Sequence, residues 1–241
     1  MHLPYDLPAT AREQVALVRE KATQAGGPAP LEFDGPRPDV VRHTIRLGAG
    51  WRVSGSPLTA AGWDGRPVIT RGAVLDWAAQ ARAGRRPWRQ VLVASYAWGT
   101  GTVSYGPVRM ARVLAAGGDV VEHAVTSAVR TLDEHGAVAA YWVLNNRAPA
   151  GLRLPFLGPA FFTKLLYFAG HELARAPIPP GTHRPLILDR VLASKPQIRP
   201  VVGGWTAGWR TSHYAAYLER MAALTPDGWA PDELELRLFS S

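Results

Sequence analysis

With no cysteine among its 241 residues, the chain can form no disulfide, zinc–cysteine site or iron–sulfur cluster. Twenty-seven basic residues against nineteen acidic ones give a net charge of +8, which suits a polyanionic partner because each phosphate contact releases condensed counterions. No run reaches the roughly 18 uncharged apolar residues that cross a bilayer. The start MHLPYDLPATAREQ also lacks the basic-then-apolar plan of a secretory leader, so a cytoplasmic, non-membrane protein is expected; a monomer is the expected state.

Ala11–Thr23 has helical spacing and runs into the break AGGPAP. Between Val40 and Val53, Val41, Ile45 and Leu47 fall on one face and predict a short strand or two. Gly, Ser and Pro punctuate the stretch up to Pro67. Thr70 reads as an N-cap, with Val74, Leu75, Ala78 and Ala79 as the apolar stripe of the helix it opens. Further helices are predicted over Trp88–Ala97, Val108–Ala116, Val120–Glu134 and Ala137–Asn145. The run RAPAGLRLPFLGPAFFTKLLYFAGHELAR then reads as a turn and a helix, followed by a loop containing Pro177, Pro179, Pro180 and Gly181. Asp189 stands where Leu186, Ile187 and Leu188 end and a short helix can begin, and two amphipathic helices close the chain, the second after Pro231. The fold expected is mainly α. Residues 1–69 form an N-terminal extension with possible short strands, and residues 70–241 a helical domain with a hairpin near 152–160.

Only three basic residues are lysines: Lys21, Lys164 and Lys195. Where arginine is the default cation, a lysine among apolar neighbours calls for chemistry that an always-protonated guanidinium cannot do. On a helix, Lys164 has Ala160, Phe161, Tyr167 and Phe168 at i−4, i−3, i+3 and i+4, a wall that favours the neutral, nucleophilic amine by desolvation. The competing reading is an amine that follows the helix edge to solvent, an edge that Thr163 would mark. Asp189 suits an N-cap bonding the amides of Val191 or Leu192. Among nine tryptophans, Trp98 lies in the glycine-rich AWGTG and is the first candidate for stacking on a base, with Tyr105 and Trp142 behind it. Gly99 and Gly101 are read as serving a turn. No histidines stand at metal spacing, His171-Glu172 lacks the second histidine of a zinc protease helix, and neither WGTG nor AGG is followed by the Lys-Ser/Thr of a phosphate loop. No metal and no cofactor are expected.

LPFLG at 154–158, followed by an apolar helix, resembles the hairpin of helix-hairpin-helix DNA glycosylases, whose commonest form reads LPGxG. The resemblance extends to a downstream aspartate, here in PLILDRV, and covers about residues 137–195; GPAFFTKLLYFAG is similar to the corresponding helix of oxidised-guanine glycosylases, bacterial proteins of the OGG fold among them. It implies double-stranded DNA as partner, phosphate contacts at Leu157, Gly158, Ala160, Arg153 and Arg190 (with Arg109 and Arg112 as further candidates), and excision of a flipped base. It also implies Lys164 as Schiff-base nucleophile and Asp189 as the catalytic carboxylate, in a repair enzyme with associated lyase activity. In the commonest members the lysine lies two residues past the hairpin glycine, where this chain has Ala160; Lys164 stands one turn later on the same face. Three alternatives stay open at this stage: a monofunctional enzyme in which Asp189 activates water and Lys164 only helps, a glycosylase acting on hypermodified bases of foreign or phage DNA as a defence enzyme, and a non-catalytic DNA-binding protein that keeps only the hairpin.

Overall fold

The computed structural model describes residues 6–24, 28–52, 57–148, 151–171 and 179–241. Ala25–Gly27 of the AGGPAP break, Ser54 and Ser56, Glu172, and Pro177 of the loop before Asp189 lie outside the described residues. Among those described, helices dominate and the only sheet is a two-stranded ribbon, the mainly α architecture expected from the sequence.

Helix α1 (Ala9–Gln24) buries Ala11 and Val15 and packs on helices near both the middle and the end of the chain. The strand anticipated between Val40 and Val53 shrinks to β1 (Thr44–Arg46), because Val41 is exposed and the chain enters a 3-10 turn at Ala49–Trp51. Its partner β2 (Val68–Thr70) falls in a stretch that carried no strand signal, and the two run antiparallel with Ile45 opposite Ile69. A single turn, α2 (Pro57–Ala60), lies between them. Thr70 both ends β2 and caps α3 (Arg71–Arg82), its hydroxyl accepting from the Ala73 amide at 3.0 Å.

The centre of the bundle is α4 (Trp88–Thr100), whose Val91, Leu92, Val93, Ala94, Tyr96 and Ala97 are fully buried. Against it pack α3, α5 (Tyr105–Leu114), α6 (Gly118–His135) and α8 (Pro159–Gly170). Between α6 and α8 lies α7 (Ala137–Asn145); Ala137 to Leu144 are all buried, so this helix is apolar all round and sits inside the bundle. The chain then reaches α9 (Arg190–Ser194), α10 (Thr211–Leu224) and α11 (Pro231–Ser240). Among the described residues no helix is long and apolar enough to cross a membrane.

One segment positions everything that follows. Leu186, Ile187 and Leu188 are buried but belong to no helix or sheet, so their backbone groups must find partners elsewhere. Side chains from three helices supply them. Tyr214 donates to the Leu186 carbonyl at 3.0 Å and Tyr217 to the Ile187 carbonyl at 2.7 Å, while Glu235 accepts from the Ile187 amide at 2.5 Å and Thr163 from the Leu188 amide at 3.2 Å. The run is thereby held in the core, and it delivers Asp189 to the start of α9.

Candidate active site

Gly158 is the N-cap of α8 and Pro159 its first residue, where a missing amide costs nothing and the fixed φ favours the helix. One turn in, Lys164 is 4% exposed. Its stem folds back toward the helix N-terminus, as side chains on a helix do, and Nζ donates to the Ala160 carbonyl at 2.9 Å and to Asp189 Oδ2 at 3.1 Å. The two Asp189 oxygens are divided between tasks: Oδ1 accepts from the Val191 and Leu192 amides at 3.0 and 3.2 Å, capping α9, and Oδ2 faces the amine. Thr163 does not mark a solvent edge. It is fully buried and bonds the Leu188 amide, tying α8 to the segment that carries Asp189.

Gly99 makes this arrangement possible in a way the sequence did not suggest. It lies within α4 rather than in a turn, and a β-carbon there would sit 2.4 Å from Lys164 Cδ and 2.7 Å from Cε. The stacked rings of Tyr96 and Phe161, 4.0 Å apart, bring α4 and α8 this close. Gly101, at φ 54°, does serve the end of α4.

Lys164 and Asp189 line a cavity of about 340 Å³ together with His43, Arg71, Trp98, Glu235 and Phe239, within the size range of small-ligand sites. Arg71 is buried with its guanidinium 4.9 Å from the Trp98 ring centre and 5.0 Å from that of Tyr167, and it lies 3.6 Å from Glu235. Burial pushes the Glu235 carboxyl up to about 8, reinforced by Asp232 and Asp189 and partly offset by Arg71 and the Ile187 amide. Burial, and then the charge of Arg71, lower His43 below the usual histidine range. Three lining side chains keep a buried nitrogen without a hydrogen-bond partner: His43 Nδ1, Arg71 Nε and Trp98 Nε1.

The raised Glu235 carboxyl has a stability consequence. Between about pH 4.5 and 8 the folded protein holds a proton at Glu235 that the unfolded chain has lost, so this group's contribution weakens as pH rises through that window. Unfolding measured at pH 5 and pH 8 is therefore expected to show wild type losing at least ~1 kcal/mol more than Glu235→Gln. Parallel losses in the two proteins would show that Glu235 does not titrate in this window.

Of the aromatic candidates, Trp98 lines the cavity and Tyr105 and Trp142 do not. Trp142 is one more buried residue of α7. Tyr105 is 46% exposed at the start of α5, beyond the Gly101 turn that carries the chain away from the cavity, and its hydroxyl accepts from Arg112 at 2.7 Å. The hairpin lines a separate groove of about 800 Å³, in which Leu157, Gly158, Ala160 and Arg153 stand beside Arg109 and Arg147. Leu157 is buried, so its side chain serves the core. Arg190 is exposed on α9 and lines neither space. Sequence reasoning missed His43, Arg71, Glu235 and Phe239. Arg71 alone gave a signal, a charged residue in register with the apolar stripe of Val74, Leu75 and Ala78. Among the described residues no three histidines, aspartates or glutamates gather as a metal site would require.

In comparison with known proteins, the family described as "Putative 8-oxoguanine DNA glycosylase OGG-like protein" matches residues 38–239, a span from just before β1 to the end of α11. Neither a curated protein nor a solved structure matches the chain.

Proposed function

Because the chain belongs to the OGG-like 8-oxoguanine DNA glycosylase family, we propose that it draws a damaged nucleotide out of duplex DNA and releases its base, oxidised guanine being the leading substrate. The observation that carries this reading is the 3.1 Å contact between Lys164 Nζ and Asp189 Oδ2 on the wall of a base-sized cavity. Trp98, His43 and Phe239 supply aromatic surface for the base. The unspent hydrogen-bonding capacity of His43, Arg71 and Trp98 suits a ligand rich in acceptors, as an oxidised purine is.

The chemistry follows from these positions. Lys164 first gives up a proton, for which Asp189 Oδ2 is the nearest carboxylate oxygen. The amine lone pair attacks C1′, the glycosidic bond breaks, and its electron pair leaves with the base, which takes up a proton. Asp189 is the source of that proton, and once it has given it to the departing base it is again a carboxylate and offsets the positive charge left on the sugar–amine adduct. Transfer of a second amine proton to O4′, which takes the electron pair of the C1′–O4′ bond as the ring opens, gives the protonated imine, and water hydrolyses it to restore Lys164. The hairpin amides at Gly158 and Ala160, with Arg153 and Arg109, hold phosphates on the groove side of α8.

The test is incubation with duplexes bearing single defined lesions, followed by an assay for abasic sites and by borohydride trapping. Base release from an oxidised-guanine duplex with a trapped adduct is expected; no release from any lesion, with no adduct, would overturn the proposal. Affinity for an undamaged duplex is expected to fall steeply with salt, log K declining by about 0.9 per neutralised phosphate for each log unit of salt. A flat salt response measured by fluorescence anisotropy would remove DNA as the partner.

A further inference from the structure

Phe156, at the tip of the hairpin, is the only non-glycine residue among those described with a positive φ, at 64°. A β-carbon is disfavoured in that left-handed region, and LPGxG, the commonest form of this hairpin, has glycine at the corresponding place. The ring does not offset that strain by burial, since the residue is 49% exposed. The fold thus carries a bulky aromatic where both backbone and solvent argue against one.

Its surroundings are cationic. The Arg112 guanidinium lies 5.5 Å from the Phe156 ring centre and 5.7 Å from that of Tyr105, so the three side chains form one exposed aromatic–cation cluster. Phe156 also lines the groove that holds Arg109, Arg147 and Arg153, and no carboxylate is among the groove's lining residues. None of these four arginines is ion-paired to a described carboxylate.

We propose that Phe156 is a DNA-contacting residue whose ring packs on the sugar or base face of the strand whose phosphates occupy the arginine groove. The proposal rests on the DNA reading above and assigns the hairpin tip a contact distinct from phosphate binding. An aromatic ring offers a face that every nucleotide can meet, and a neighbouring guanidinium strengthens such a contact. The positively charged groove supplies the long-range attraction, and the ring adds contact that does not depend on salt.

The test compares Phe156→Gly, Phe156→Ala and Phe156→Tyr with wild type in binding to an undamaged duplex across a salt series, with melting temperatures alongside. Glycine relieves the strain and removes the ring, whereas alanine removes the ring and keeps the strain. Both are expected to weaken duplex binding by roughly 5- to 100-fold, with the slope of log K against log salt unchanged. Only the glycine variant is expected to melt higher, by about 2 °C. Tyrosine should restore binding to within about threefold of wild type, while Arg153→Ala should reduce the salt slope by about one phosphate. Wild-type affinity in the glycine and alanine variants would overturn the contact proposed for Phe156. A wild-type protein that binds no duplex even at low salt would overturn the DNA reading on which it rests.

Discussion

Asp189→Asn is expected to slow base release by about 10²- to 10⁴-fold, the range usual for a positioned proton-transfer group. Asparagine is itself a good cap and keeps an oxygen for the Val191 and Leu192 amides, so α9 persists. What the substitution removes is the charge opposite Lys164. Because the Lys164 side chain is only 5% exposed, removing its partner leaves a nearly buried cation without compensation, at a cost of about 3–5 kcal/mol. Loss of activity in the single variant could thus reflect loss of stability, and a second substitution separates the two. Lys164→Gln combined with Asp189→Asn takes away both charges and is expected to recover much of the stability measured by denaturant, yet to release no base and give no borohydride adduct. Lys164→Gln alone should also abolish the adduct while retaining duplex affinity. Full release by Asp189→Asn, or activity returning in the double variant along with stability, would remove these two residues from the chemistry.

Gly99→Ala is expected to reverse the usual sign of a helix substitution. Inside a helix, alanine is ordinarily favoured over glycine by about 1 kcal/mol. Here the new methyl would meet the Lys164 stem at 2.4 and 2.7 Å, and the stem cannot turn away without parting Nζ from Ala160 and Asp189. The variant should therefore lose stability and, with the amine displaced by about 1 Å, lose on the order of 10²-fold in base release. Changing Lys164 to alanine removes the obstacle. In that background Gly99→Ala should stabilise by about 1 kcal/mol, and the change of sign between backgrounds measures the coupling directly. The same stability change in both backgrounds would show that Gly99 does not make room for the lysine.

Much of this was legible in the sequence, and the pattern of what was not has physical causes. Helix α7 was read to the residue, since it lies between Gly136 and the polar pair Asn145–Asn146. Thr70 and Asp189 declared themselves as caps because their side chains bond amides two or three residues ahead, a local interaction. The contact between Lys164 and Asp189 spans 25 residues through a segment outside any sheet, for which the sequence offers no periodicity, so it was expected only because the resemblance assigns both residues to one site. His43, Glu235 and Phe239 escaped for a similar reason. They come from opposite ends of the matched region and meet only after α11 has packed near α9. Gly99 was misread because a glycine in a Trp-Gly-Thr-Gly run suggests a turn, whereas its task is set by a side chain 65 positions away.

The side-chain hydrogen bonds on Leu186–Leu188 also make Asp189 answerable to distant helices. Two come from α10 and one from α11, with Thr163 of α8 supplying the others. Where α10 or α11 parts from this run, its buried amides and carbonyls lose partners, and the amine on α8 no longer has a fixed carboxylate to face. A local opening of either helix is therefore felt at the Lys164–Asp189 contact, although neither residue lies on the helices that move.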